Sequence, residues 1–202
     1  MNKSFIIKII ILCLVTIKVS AIEKVILFGD SLMAGYGLPN EQHLSVVLEN
    51  SLEIEGYNIE IVNGSVSGST SSGGLNIAEW TLSESNIDLM ILCLGANDML
   101  RGINPKETIN NLEEIVKIAK RKNIKVIIAG MIAPTSYGSG YKQSFDKIFY
   151  DLSKKYKLQL IPFLLEGVAQ KPKFNLSDGM HPNDQGTIII ANTLKKAILE
   201  NL

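Results

Sequence analysis

From residue 24 onward, short apolar runs alternate with longer stretches in which apolar side chains recur every three or four positions. The runs at 24–28, 59–62, 89–94, 126–129 and 159–161 are nearly continuous and too short for an amphipathic helix, so they read as strands. Helical spacing appears in Leu44, Val47, Leu48 and Leu52, in Ile109, Leu112, Val116 and Ala119, and in Phe145, Ile148, Phe149 and Leu152. A last helix is expected over about 184–199. Asn104 followed by Pro105 supplies an N-cap and a first-turn proline for the second of these helices.

Strands without an exposed polar face, separated by helices, predict a mostly parallel sheet covered on both sides, because a parallel strand needs a crossover to return. The expected fold is a three-layer α/β/α sandwich around a five-stranded sheet. No internal repeat or linker divides it. The longest irregular segments, 29–40, 63–74, 95–104, 131–140 and 162–183, all leave the carboxyl ends of strands. Open α/β sheets bind ligands at that edge, so the chemistry is sought there.

Composition narrows the picture. A chain of 202 residues with 46% hydrophobic and 20% charged residues suits one globular domain. Residues 1–21 carry Lys3, Lys8 and Lys18 with no acid, an apolar run over 9–15, and Val19-Ser20-Ala21 at a suitable cleavage point. This is the pattern of a signal peptide. The expectation is export, most simply to the periplasm, with 22–202 as the mature domain and no stable membrane insertion once the segment is removed. That domain holds 17 basic against 20 acidic residues, with no electrostatic footprint for nucleic acid. Its single cysteine, Cys93, lies in an apolar strand and reads as a buried structural thiol. Nothing in the sequence bears on oligomeric state.

The chain has two histidines. His43, beside Leu44 on a helix, reads as structural. His181 falls in Asp178-Gly179-Met180-His181-Pro182, where three-residue spacing over a turn can bring a carboxylate to one imidazole nitrogen and leave the other free. The same loop could merely cap the last helix through Asn183 or Asp184. Ser31, in Gly29-Asp30-Ser31-Leu32, follows the first strand directly, and could be an exposed nucleophile or a capping serine. Glycine in the loop 63–70 can bring a backbone amide close to a ligand, and Asn97, in Gly95-Ala96-Asn97-Asp98, can aim an amide donor into the crevice. Taken together, these residues stand after the first, second, third and fifth strands, a convergence that turn chemistry alone does not explain.

These four blocks resemble those of the SGNH, or GDSL, hydrolase family, which carry serine, glycine, asparagine and histidine in this chain order. The likeness runs from about residue 24 to the end. It extends to Ser31-Leu32-Met33-Ala34-Gly35-Tyr36-Gly37, Asn97-Asp98-Met99-Leu100-Arg101-Gly102 and Phe163-Leu164-Leu165-Glu166-Gly167-Val168-Ala169, which are similar to the bacterial periplasmic thioesterase I, lysophospholipase L1 and arylesterase subgroup. Ala96 and Ser69 depart from that subgroup's usual glycine and aspartate. The resemblance implies a flavodoxin-like fold and a triad of Ser31, His181 and Asp178. It further implies an oxyanion hole built from the amides of Ser31 and Gly68 with the Asn97 side chain, and acyl transfer without a cofactor.

The expected substrate is a small-molecule or lipid ester: an aryl ester, acyl thioester or lysophospholipid. Met131, Ile132, Tyr137, Phe163 and Leu164 are candidate apolar walls. The enzymatic alternative is a deacetylase acting on a glycan or other small acetyl ester. A flavodoxin-like binding protein would need a phosphate-cradling loop, and neither a Walker pattern nor Gly-x-Gly-x-x-Gly is present. A metal-dependent hydrolase would have to gather Asp30, Asp98, Asp178 and His181 as ligands; the expectation is that no metal is bound. A catalytically dead binding relative is the last rival.

Overall fold

The computed structural model describes residues 22–202; the expected signal peptide lies outside them. Five strands, β1 (Lys24–Gly29), β2 (Glu60–Asn63), β3 (Leu89–Cys93), β4 (Lys125–Ala129) and β5 (Gln159–Ile161), form one parallel sheet in the order β2-β1-β3-β4-β5. Each falls within one residue of its expected bounds at either end. Strand β3 is central, and its neighbour β1 sets Ile26 opposite Met90 and Phe28 opposite Leu92. Because β1, β3 and β4 are covered on both faces, Val25 to Phe28, Leu89 to Cys93 and Ile127 to Ala129 are all buried, which is why these runs are apolar without alternation.

Helix α2 (Leu44–Ile54) packs with α7 (Asp184–Leu199), while α5 (Pro105–Arg121) packs with α3 (Ser71–Thr81) and with α6 (Ser139–Tyr156). The two groups cover opposite faces. Asn104 caps α5 by accepting from the Lys106 amide, with Pro105 at the first turn as expected. Strand order reverses between β1 and β3, so the chain segments leaving these two neighbours splay apart and open the crevice.

Three helices stand where no helix was expected: α1 (Ser31–Ala34), α3, and α4 (Ala96–Leu100). Helix α3 contains Gly73 and Gly74, poor helix formers. Its packing accounts for one of them: a Cβ on Gly74 would lie 2.3 Å from Leu94 Cδ1. A side chain is thus traded for close approach of helix to sheet, while Thr70 caps the first turn by accepting from the Gly73 amide.

Candidate active site

Strand β1 ends on Gly29, where a Cβ would meet the Cys93 carbonyl oxygen at 2.6 Å. The next residue, Asp30, is the N-cap of α1 and accepts from the Leu32 amide at 3.1 Å. The capping function therefore belongs to Asp30, which leaves the Ser31 hydroxyl available. Gly35, at φ 82°, ends this single turn.

Ser31 Oγ lies 2.9 Å from His181 Nε2, and His181 Nδ1 lies 2.6 Å from Asp178 Oδ2. The loop that achieves this is a tight hairpin: Leu176 donates to the His181 carbonyl, Gly179 donates to the Leu176 carbonyl, and Gly179 takes φ 71°. Asp178 Oδ1 accepts from the amides of Met180 at 2.8 Å and His181 at 3.0 Å. The His181 and Met180 backbone amides, followed by the imidazole, hold the Asp178 carboxyl down at about 2. It is ionised at neutral pH. A carboxylate only accepts hydrogen bonds, so Nδ1 bears the imidazole proton and Nε2 is free to accept from Ser31. The cap of α7 is provided separately by Asn183, which accepts from Gly186 at 3.0 Å, so capping of the helix does not engage Asp178 or His181.

Gly68 takes φ 79°, with no atom within 4 Å of where a Cβ would project. Its carbonyl accepts from Arg101 Nη2 at 3.0 Å. Among the described residues, no protein group accepts from the amides of Ser31 or Gly68. Asn97, on α4, differs from expectation in one respect. Rather than standing free, its Nδ2 lies 3.2 Å from Asp30 Oδ2 and 3.1 Å from the Ser69 carbonyl oxygen.

The structure does not gather Asp30, Asp98, Asp178 and His181 into one ligand set. Asp98 is enclosed by the Ser71 amide and hydroxyl and the Thr108 hydroxyl, where it ties α3, α4 and α5 together. Cys93 is fully buried, and that burial pushes its thiol well above the ordinary range.

The expected walls divide. Ile132 and Tyr137 are exposed and Phe163 is partly buried, but Met131 is 4% and Leu164 0% exposed. Sheet pairing continues past the strand ends, with Gly130 donating to the Ile161 carbonyl and Leu164 to that of Gly130, which carries both side chains into the core. Met131 and Leu164 are thus corrected from crevice walls to core residues. The sequence reading missed Tyr36, whose ring packs against the His181 imidazole with centroids 4.4 Å apart. Its position between Gly35 and Gly37 was the available signal. Val66 and Met180, on loops, and Leu100, on α4, also expose apolar side chains on segments that carry candidate site residues.

The model of the GDSL-like Lipase/Acylhydrolase family matches residues 27–187. An arylesterase of Vibrio mimicus is 35% identical over 90% of this chain and 91% of its own length. The thioesterase 1/protease 1/lysophospholipase L1 of Escherichia coli K12 is 31% identical over 93% of this chain and 88% of its own. The crystal structure of TesA superposes with a TM-score of 0.84 at 32% identity, covering 89% of this chain and all of that one.

Proposed function

The chain belongs to the GDSL-like lipase/acylhydrolase family and is a carboxylic ester hydrolase, and from that premise we propose that Ser31 is its nucleophile, His181 its general base and Asp178 the acid that orients the base. The observation that carries this is the unbroken relay from Asp178 Oδ2 through His181 to Ser31 Oγ, at 2.6 and 2.9 Å. As Ser31 Oγ attacks the ester carbonyl, His181 Nε2 takes its proton. The same proton passes to the leaving group as the acyl-enzyme forms, and His181 then draws a proton from the water that releases the acid. The unpartnered amides of Ser31 and Gly68, with one N–H of Asn97, supply donors where negative charge develops on the carbonyl oxygen.

Arylesterase, thioesterase and lysophospholipase names among the relatives support a broad leaving-group range. The exposed side chains of Tyr36, Val66, Leu100, Ile132 and Met180 on the catalytic edge support recognition through the acyl chain. Medium-chain acyl groups are then preferred to acetyl, each buried methylene adding about 0.8 kcal/mol, or about fourfold, until contact is exhausted. The test is kcat/KM across 4-nitrophenyl esters of rising chain length. A rise from acetate to a medium chain is expected, whereas a steep fall beyond acetate would replace this substrate reading with that of a small-acyl deacetylase.

Residues 1–21 act, in this reading, as a signal peptide, and the enzyme works in the periplasm. Among the described residues no helix is long and apolar enough to cross a membrane. Mass spectrometry of the exported protein should give a chain starting near Ile22; an intact chain recovered from the cytosol would contradict export.

A further inference from the structure

Asp30 sits beside the proposed nucleophile, yet the mechanism above gives it no part. It is 1% exposed, and both of its oxygens are committed: Oδ1 to the Leu32 amide at 3.1 Å and Oδ2 to Asn97 Nδ2 at 3.2 Å. The second acceptor on Asn97 Nδ2 is the Ser69 carbonyl, at 3.1 Å.

This arrangement decides which way the Asn97 amide faces. An ionised carboxylate and a backbone carbonyl can only accept. Were the amide reversed, Asn97 Oδ1 would confront two acceptors with no proton between them, an unpaired burial that costs more than a missing bond. The amide therefore presents nitrogen, and the N–H resting on Ser69 can turn to a substrate oxyanion while the other stays on Asp30. Once Asp30 is protonated, only the Ser69 carbonyl still enforces this orientation. The protonated carboxyl can donate to Asn97 Oδ1, and the reversed amide then sets an oxygen where the oxyanion needs a donor.

We propose that Asp30 is a positioning residue that holds the Asn97 amide with nitrogen toward the oxyanion, and that protonation of Asp30 disarms the oxyanion hole. This rests on the reading of Asn97 as an oxyanion donor. The groups facing Asp30 are the Leu32 amide on α1, the Asn97 amide and the Asp98 carboxylate on α4, the His181 imidazole on the catalytic loop, and the buried Cys93 thiol at the end of β3. Burial pushes its carboxyl up to about 6, against the pull of the Leu32 and Asn97 hydrogen bonds and of His181, while Asp98 adds to the rise. Ionised at neutral pH, it takes up a proton in the mildly acidic range. Protonation of His181 also stops the reaction, by occupying the base, so two protonations, coupled through the charge of His181 on Asp30, lower activity in acid.

The test is log kcat/KM for a neutral aryl ester between pH 4.5 and 8, with folding monitored by circular dichroism. The wild-type profile should fall more steeply than a slope of one across the mildly acidic range in which Asp30 takes up its proton. Asp30→Asn should show a slope of one and, at pH 8, a kcat about tenfold to hundredfold lower with KM nearly unchanged, short of the roughly 10² to 10³ lost when a donor is removed outright. A wild-type profile no steeper than that of Asp30→Asn, or wild-type kcat in Asp30→Asn, overturns the inference. Asn97→Ala keeps the two readings apart. If it costs about 10² to 10³ in kcat while the wild-type profile is no steeper than that of Asp30→Asn, only the role of Asp30 fails; if it is silent, the oxyanion assignment itself falls.

Discussion

Replacing Asp30 by asparagine should make the fold more stable as well as the enzyme slower. The carboxyl is buried, with one ionic charge held by two neutral donors and no paired cation. Burial raises it from an ordinary 3.8 to about 6, so the native state binds its proton more tightly than the unfolded chain does. Stability from this group is therefore fully present below about pH 4 and is lost as pH rises through about 6. At about 1.4 kcal/mol per tenfold change in proton affinity, the ionised group costs on the order of 3 kcal/mol at neutral pH. In Asp30→Asn the carbonyl oxygen can still accept from Leu32, and the new NH₂ can donate to a reversed Asn97, so that the Ser69 carbonyl is the one group that loses its Asn97 donor. Urea unfolding followed by circular dichroism should show the variant more stable by up to about 3 kcal/mol at pH 7.5, with the difference closing by pH 4. A variant less stable at pH 7.5, or a difference independent of pH, would refute the reasoning. Such an exchange of stability for activity is expected wherever a site keeps a costly group for function.

Serine and histidine acting as one unit should make their losses non-additive. Ser31→Ala and His181→Ala should each lower kcat by about 10⁴ or more, and the double variant little further, in a steady-state assay. Asp178→Asn should cost about 10⁴ in kcat, because an amide no longer enforces the imidazole tautomer. Because Asp178 is held near 2 by the His181 and Met180 amides, it contributes no break to the activity profile between pH 4.5 and 8. Gly74→Ala should destabilise the fold by about 1 to 3 kcal/mol in denaturant titration, since the new Cβ would fall 2.3 Å from Leu94 Cδ1.

What was legible in the sequence followed from local rules. The strands were readable because their residues are buried on both faces, and α2, α5, α6 and α7 because an apolar stripe repeats at helical spacing. Helix α3 was not, since its glycines serve contact with Leu94, a requirement set by the opposite layer and invisible in the helix's own composition. Ser31, Asp178 and His181 were legible because the strand end and the Asp178-to-His181 turn are short-range features.

Relations between distant loops were not. The ring of Tyr36 against His181, the clasp of Arg101 on the Gly68 carbonyl, and the hold of Asp30 on Asn97 each join segments whose proximity is created only by folding. Met131 and Leu164 were misplaced for a related reason. The sheet pairing that buries them continues through Gly130, beyond the point where the apolar pattern of β4 stops.

The central claim is that Ser31 carries the acyl group, and covalent trapping tests it most directly. Treatment with a fluorophosphonate, followed by intact mass and peptide mapping, should add one phosphonyl group, on the peptide containing Ser31. Activity should fall in proportion to labelling, with no adduct in Ser31→Ala and much slower labelling in His181→Ala. An adduct on another residue accompanied by loss of activity, or full activity after Ser31 is modified, would contradict the account.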